Sequence, residues 1–499
     1  MSRLALQEEA DFVVVGTGAG GATAARVLSE AGYDVVMLEE GPDLPASERP
    51  TDLLGAMSSA VRDMGTQSTT GATPIPLLQG KLVGGSTAIN SGIIWRMPDD
   101  VREHWTREFG LADLVDEKEQ TRIYDIIEDE LEVEVTAPEV RGDNAHKMAE
   151  ACRALGLPGR PIVRNARRCK GRARCLQGCP EEARQSMDVS YVPRAVAQGA
   201  RLHPLCRVQK VLRENGRAIG VSGAKLDRKG GQVGRFEVRA RRGVIVAAGA
   251  VHTPLILLKS GLGALVGERF QAHPGSAVVG RFPDVINMGF GATQGYELPM
   301  RAQGFKIESL SLPPELLALR LPGVGRDWQA RLGELNHYAQ WVVQVRMGAL
   351  GRVTAGWGGK PVVRFEPLDR DLAKMQQALG LICRMMFAAG ATEVFPGLGH
   401  TPEVLHDVRE VDALESAKLE RADFHMMASH LFGTACAGVD PRRSVVGPDL
   451  QSHELPGLYV MDASVFPTNL GVNPQHSIMT VVWRAAEQLA NAGRDSAVA

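Results

Sequence analysis

The stretch Asp11-Phe-Val-Val-Val15-Gly16-Thr-Gly18-Ala-Gly-Gly21, continued by residues 22–31 and 33–39, decides how the rest of the chain is read. Residues 12–15 are an apolar run of strand length, and an Ala-rich helix former follows the glycines. A second apolar run then ends on Glu39. Gly16 permits a tight turn, Gly18 lets backbone approach a pyrophosphate, and Gly21 lets helix and strand pack closely. The helix start presents free N–H groups to phosphates, and Glu39 is placed to accept hydrogen bonds from a ribose. The reading is a dinucleotide site; the loop alone does not separate one dinucleotide from another.

Outward from this turn, the chain is too long for one core: it has 499 residues, and single cores stop growing near ~250–300. Residues 41–80 and 96–120 read as polar loops, 144–155 as a helix, and 202–221 and 236–247 as strands. Residues 282–365 are strand-like and rich in Gly, Pro and aromatics, and helical periodicity returns at 372–389 and 480–492. The expected fold class is α/β. A Rossmann-type domain is assembled from discontinuous segments, 7–275 with 440–499 returning to it. Residues 276–439 form a substrate-binding domain with an antiparallel sheet and helices.

Lys plus Arg total 56 against 58 Asp plus Glu, a net charge of −2, so nothing electrostatic favours a nucleic-acid partner. No stretch has the length of a membrane span. The first ten residues carry two acids and no export signal, and seven cysteines are an odd number. Both point to a reducing compartment, with the cytoplasm as the expectation.

Two further segments specify the cofactor. Gly80-Lys-Leu-Val-Gly84-Gly85-Ser86-Thr87-Ala-Ile-Asn90 is a small-residue loop that lets backbone amides lie against a flat ring. Gly249-Ala-Val-His-Thr253-Pro254, running on to Ser260-Gly261-Leu-Gly263, is the second. Together they resemble the two signatures of the glucose–methanol–choline (GMC) family of flavin oxidoreductases. The resemblance spans most of the chain and is weakest over 282–420. It implies FAD and oxidation of an alcohol. Some members tether the flavin through a His just before the Asn of the first signature; Ile89 stands there, so noncovalent FAD is expected. The resemblance also places Val208 at the adenine through its backbone, and Asp462 and Ala463 near the ribityl–phosphate region.

His430-Leu-Phe-Gly433-Thr434 looks like the family's His-x-x-Gly-Thr, and Gly471-Val-Asn473-Pro474-Gln-His476 like its Asn-Pro segment. By that resemblance His430 accepts the hydroxyl proton, the carbinol carbon gives a hydride to flavin N5, and Asn473 holds the substrate oxygen in line. His476 is the rival for the base, although on the first turn of a last helix it would face away.

Cys169-x5-Cys175-x3-Cys179-Pro180 gathers three thiols, and three readings stand. One is a three-iron [3Fe-4S] cluster, by resemblance to flavin subunits of sugar dehydrogenases. The second is free cysteines acting as small hydrophobes, as the similar Cys-rich stretch of fatty-alcohol oxidases suggests. The third is zinc, which lacks a fourth ligand. Phe282, Phe290, Trp328, Trp341 and Trp357 favour a hydrophobic or aromatic alcohol over a sugar. The electron acceptor is not specified. A family lyase or decarboxylase without net redox turnover is the alternative activity, and a structural or electron-transfer flavoprotein would leave His430 and Asn473 without a role.

Overall fold

The computed structural model describes residues 4–263 and 265–498; residues 1–3 of the N-terminal segment read above lie outside it. The strand Leu4–Val15 lies inside a seven-stranded sheet, parallel to Val35–Leu38 on one side and to Gln232–Val246 on the other. A strand covered on both faces reads as an unbroken apolar run, which is why Val13-Val14-Val15 and Val244-Ile245-Val246 do not alternate. The far end of Gln232–Val246 pairs with Leu458–Val460, so the C-terminal segment returns to this sheet. The helix Ala19–Glu30 packs against the terminal helix Gln475–Val498.

A ten-stranded sheet forms the second layer, organised on Glu268–Arg281. That strand pairs antiparallel with Tyr338–Val345 and Met427–Phe432. The ladder to Met427–Phe432 shifts register between Ala272 and Pro274, because proline supplies no ladder N–H. A bulge there re-aims the side chains beside it. Two cores result. One draws on residues 10–266 and 432–490, the other on 75–77, 145–152 and 250–431.

Several expected boundaries move. The 41–80 loop contains the helix Leu53–Ala60, and 96–120 contains Asp99–Phe109 and the start of Glu117–Glu130. In Asp99–Phe109 only Val101, Trp105 and Phe109, spaced four apart, are buried; the charged remainder hides the pattern. The strand-like region also holds two short helices, Pro314–Ala318 and Arg326–Leu332. The terminal helix begins at Gln475, five residues before the expected start. No helix among the described residues is long and apolar enough to cross a membrane.

Candidate active site

One cavity of about 1290 Å³ runs from the glycine turn to the second sheet. It exceeds the roughly 300–1,000 Å³ of a typical small-ligand pocket, as a dinucleotide plus a substrate requires. Gly16 has φ +93°, and a Cβ there would overlap the Ala247 carbonyl. A Cβ on Gly21 would overlap the Gly16 carbonyl, so Gly21 sets the close packing of helix on strand. Gly18 differs: its φ of −70° suits any residue, and a Cβ there would meet nothing within 4 Å. The space beside it belongs to no protein atom, and the helix it precedes has no side-chain cap. Backbone donors open onto the cavity there, as an FAD pyrophosphate requires.

Glu39 sits on the same wall, 6% exposed, its carboxylate accepting from Thr17 N at 3.1 Å, Thr17 Oγ1 at 2.9 Å and Gly41 N at 2.9 Å. Burial nevertheless holds its carboxyl above the ordinary range. Gly85, Ser86, Thr87, Ile89 and Asn90 border the cavity on another side. Thr87 Oγ1 donates to Gly84 O at 2.6 Å, and Asn90 Nδ2 donates to Gln475 Oε1 at 2.6 Å. Gly84 does not border the cavity; its φ of +91° and its contact with Asp188 give it a packing role. Gly21 is likewise behind the wall. Val208, Asp462 and Ala463 line the cavity. Asp462 accepts from Gly249 N at 2.8 Å, Thr253 Oγ1 at 2.5 Å and Ser464 N at 2.7 Å, clamping the second signature to the C-terminal segment. These residues fit FAD.

His430 and Asn473 border this same cavity. The bulge at Pro274 brings His273 beside His430, their Nδ1 atoms 3.3 Å apart. His430 Nε2 has no hydrogen bond among the described residues. Burial first, and the charge of Lys306 second, lower the His430 pKa to about 3, so the ring is neutral at ordinary pH. His273 Nε2 stands 3.2 Å from Asn469 Oδ1 and 3.0 Å from Gly471 N. One ring nitrogen thus meets an acceptor and a donor, and the histidine pair has two tautomers. When His273 Nε2–H donates to Asn469, its Nδ1 accepts from His430 Nδ1–H, and His430 Nε2 keeps its lone pair. Asn473 Oδ1 accepts from Lys306 Nζ.

His476 does not border the cavity. It is fully buried on the first turn of Gln475–Val498, its Nε2 3.0 Å from Glu128 Oε1 and its ring 4.5 Å from that of Tyr124. The helical phase that aims Gln475 at Asn90 turns His476 away, which removes it as a candidate base. The aromatic set also parts from the site. Phe282 and Trp341 are fully buried in the second core, Trp328 packs at its edge, and Phe290 and Trp357 are 48% and 96% exposed. Aliphatic side chains line the cavity instead, among them Ile93, Leu310, Leu312, Leu316, Val342 and Leu431.

Cys169, Cys175 and Cys179 surround a separate void of about 20 Å³, room for about one water. Among the described residues no group of three or more Cys, His, Asp or Glu could hold a metal ion, so the [3Fe-4S] and zinc expectations find no support in the structure. Arg164 reaches Cys175 Sγ at 3.3 Å and Cys169 Sγ at 3.9 Å, and it donates to Ser91 O at 2.7 Å. Burial raises the Cys175 thiol pKa, but Arg164 and Arg184 together outweigh it and leave the group below its ordinary value. The cysteine loop is thereby tied to the 85–92 loop of the cavity.

Sequence reasoning missed His273, Asn469 and Lys306. A lone His before Pro carries no periodic signal; Lys306 and Glu308 alternate with Phe305 and Ile307, a pattern that in a strand reads as a solvated face.

Comparisons with known proteins agree with this geometry. Two family models described as GMC oxidoreductase match residues 10–275 and 351–481. An uncharacterized GMC-type oxidoreductase of Mycobacterium tuberculosis is 35% identical over 96% of this chain and 75% of its own length. A long-chain-alcohol oxidase of Arabidopsis thaliana is 27% identical over 95% of this chain and 68% of its own. The solved structure of pyridoxine 4-oxidase from Mesorbium loti superposes with a TM-score of 0.73 at 18% identity, covering 97% of this chain and 99% of that one.

Proposed function

The chain belongs to the GMC oxidoreductase family, a family of FAD-binding flavoproteins, and on that premise we propose that it oxidises a hydrophobic alcohol with noncovalently held FAD. One observation carries the reading: His430 and Asn473, distant from the glycine turn in sequence, border the same continuous cavity as Gly18 and Glu39. Bound FAD supplies the two-electron acceptor for the carbinol hydride. His430 Nε2, neutral because it is buried, removes the hydroxyl proton. Asn473 holds the substrate oxygen so that the carbinol C–H is aligned as the proton leaves. The hydroxyl carbon becomes a carbonyl. The aliphatic lining favours an apolar chain on the alcohol, and the Arabidopsis relative named for long-chain alcohols supports this. Ile89 borders the cavity where a tethering histidine would stand, which supports a flavin without a covalent bond.

The test is anaerobic titration of the purified yellow protein with a panel of alcohols graded in chain length. Bleaching of the flavin by the apolar members is expected. His430→Ala should keep the flavin and lose most of its reduction, by about 10²–10⁴-fold. If His430→Ala still reduces the flavin and His476→Ala does not, the assignment fails. Carbon–carbon cleavage or decarboxylation with no dye reduction would point instead to a lyase.

A further inference from the structure

Resting on the roles of His430 and Asn473 above, we propose that Lys306 is a positioning residue: it fixes the Asn473 amide so that Nδ2–H faces the substrate oxygen.

Lys306 lies in Phe305–Ser309, which pairs with Tyr338–Val345 in the second sheet. Period-two alternation places Phe305 and Ile307 in the core and turns Lys306 and Glu308 to the opposite face. Glu297 stands directly across from Glu308 in the ladder and joins that face. The Lys306 side chain is 2% exposed and makes ion pairs with Glu308 at 2.5 Å and Glu297 at 3.1 Å. Glu297 also accepts from Arg160 Nε at 2.8 Å and Trp95 Nε1 at 3.0 Å. Two cations and two carboxylates therefore balance. Burial lowers the Lys306 pKa, but the two carboxylates outweigh it and keep the group an ammonium. A buried ion group of this kind adds little stability compared with apolar packing, so its presence beside the cavity asks for another reason.

Besides lying over the Trp95 ring, Lys306 makes one further contact that supplies a reason: Nζ donates to Asn473 Oδ1. An ammonium has donors and no acceptor, so the amide cannot turn its NH2 toward it. Asn473 Oδ1 is committed to Lys306, and Nδ2, without a protein partner among the described residues, is left to the cavity. An amide free to flip would spend part of its time presenting an oxygen to the alcohol oxygen, which would repel the alkoxide as it forms. Two titratable groups bear on His430: His273, from the strand paired with its own, and Lys306, from Phe305–Ser309.

The experiment compares holoenzyme carrying Lys306→Met/Glu308→Gln, Asn473→Ala, and all three changes together. Removing lysine and carboxylate as a pair leaves no uncompensated charge. Flavin content and the dissociation constant of the best panel alcohol are expected to stay near the parent values. The limiting rate of anaerobic flavin reduction should fall by about 10²-fold, the cost of a misplaced substrate. In the Asn473→Ala background the same pair of changes should add little, because residues acting through one contact are not additive. An equal fall in both backgrounds, or an unchanged limiting rate in the double variant, overturns the role of Lys306. A normal rate in Asn473→Ala, or no reduction by any alcohol, overturns the functional reading beneath it. Should the double variant lose its flavin, Lys306→Met alone, with Glu308 free to take up a proton, carries the same expectations.

Discussion

His430 is a residue whose environment changes its chemistry. An ordinary histidine begins to protonate near pH 6.5, and burial moves this one to about 3, with Lys306 adding to the shift. In the proposed mechanism the neutral ring is the base, so protonation would switch the reaction off, and a lowered pKa carries that switch to lower pH. Flavin reduction is therefore expected to hold its rate from about pH 7 to about pH 5, short of where such a base titrates. Stopped-flow reduction across that range checks it, and an acid limb centred near the ordinary histidine value would count against His430. Asn473→Ala should cost about 10²-fold in the same assay while leaving the flavin bound, because it removes one donor at the substrate oxygen. His430 and Asn473 were legible from short motifs. His273 and Lys306 were not, since each meets the pair through a contact between segments distant in sequence.

At the scale of elements, the glycine turn divides into two kinds of glycine. Gly21 keeps helix Ala19–Glu30 against strand Leu4–Val15, and any side chain there meets the Gly16 carbonyl and the Ala247 methyl. Gly21→Val should destabilise the fold by about 1–3 kcal/mol, seen as a lowered melting temperature even without flavin. Gly18→Ala meets no protein atom and keeps an ordinary backbone angle, so its melting temperature without flavin should match the parent. Its methyl enters the space beside the helix start, and its FAD affinity should fall. A Gly18→Ala protein that binds FAD as the parent does would place the pyrophosphate elsewhere. The helix Asp99–Phe109 shows why element limits were less legible: three buried side chains among eight others do not outweigh the charges on its exposed face.

For the whole molecule, the cavity is bounded by segments of both cores, so a ligand filling it should stabilise them together. Removing FAD is expected to lower the melting temperature, and re-adding it at about a thousand times its dissociation constant should restore about 4 kcal/mol. Acid or heat should release the flavin intact into the supernatant; colour remaining with the precipitate would mean a covalent bond. The dinucleotide fold and the family were readable from the chain alone, because strand, turn and helix signals are local and glycine requirements are set by backbone geometry. The cysteine loop shows the limit of that reading: three thiols at suggestive spacing surround a void with room for about one water, shaped by Arg164 and Arg184 from outside the motif. Whether His476 faced the cavity depended on helical phase, and what stood behind Asn473 depended on strand register. Both are set by packing between distant segments, which spacing along a chain does not encode.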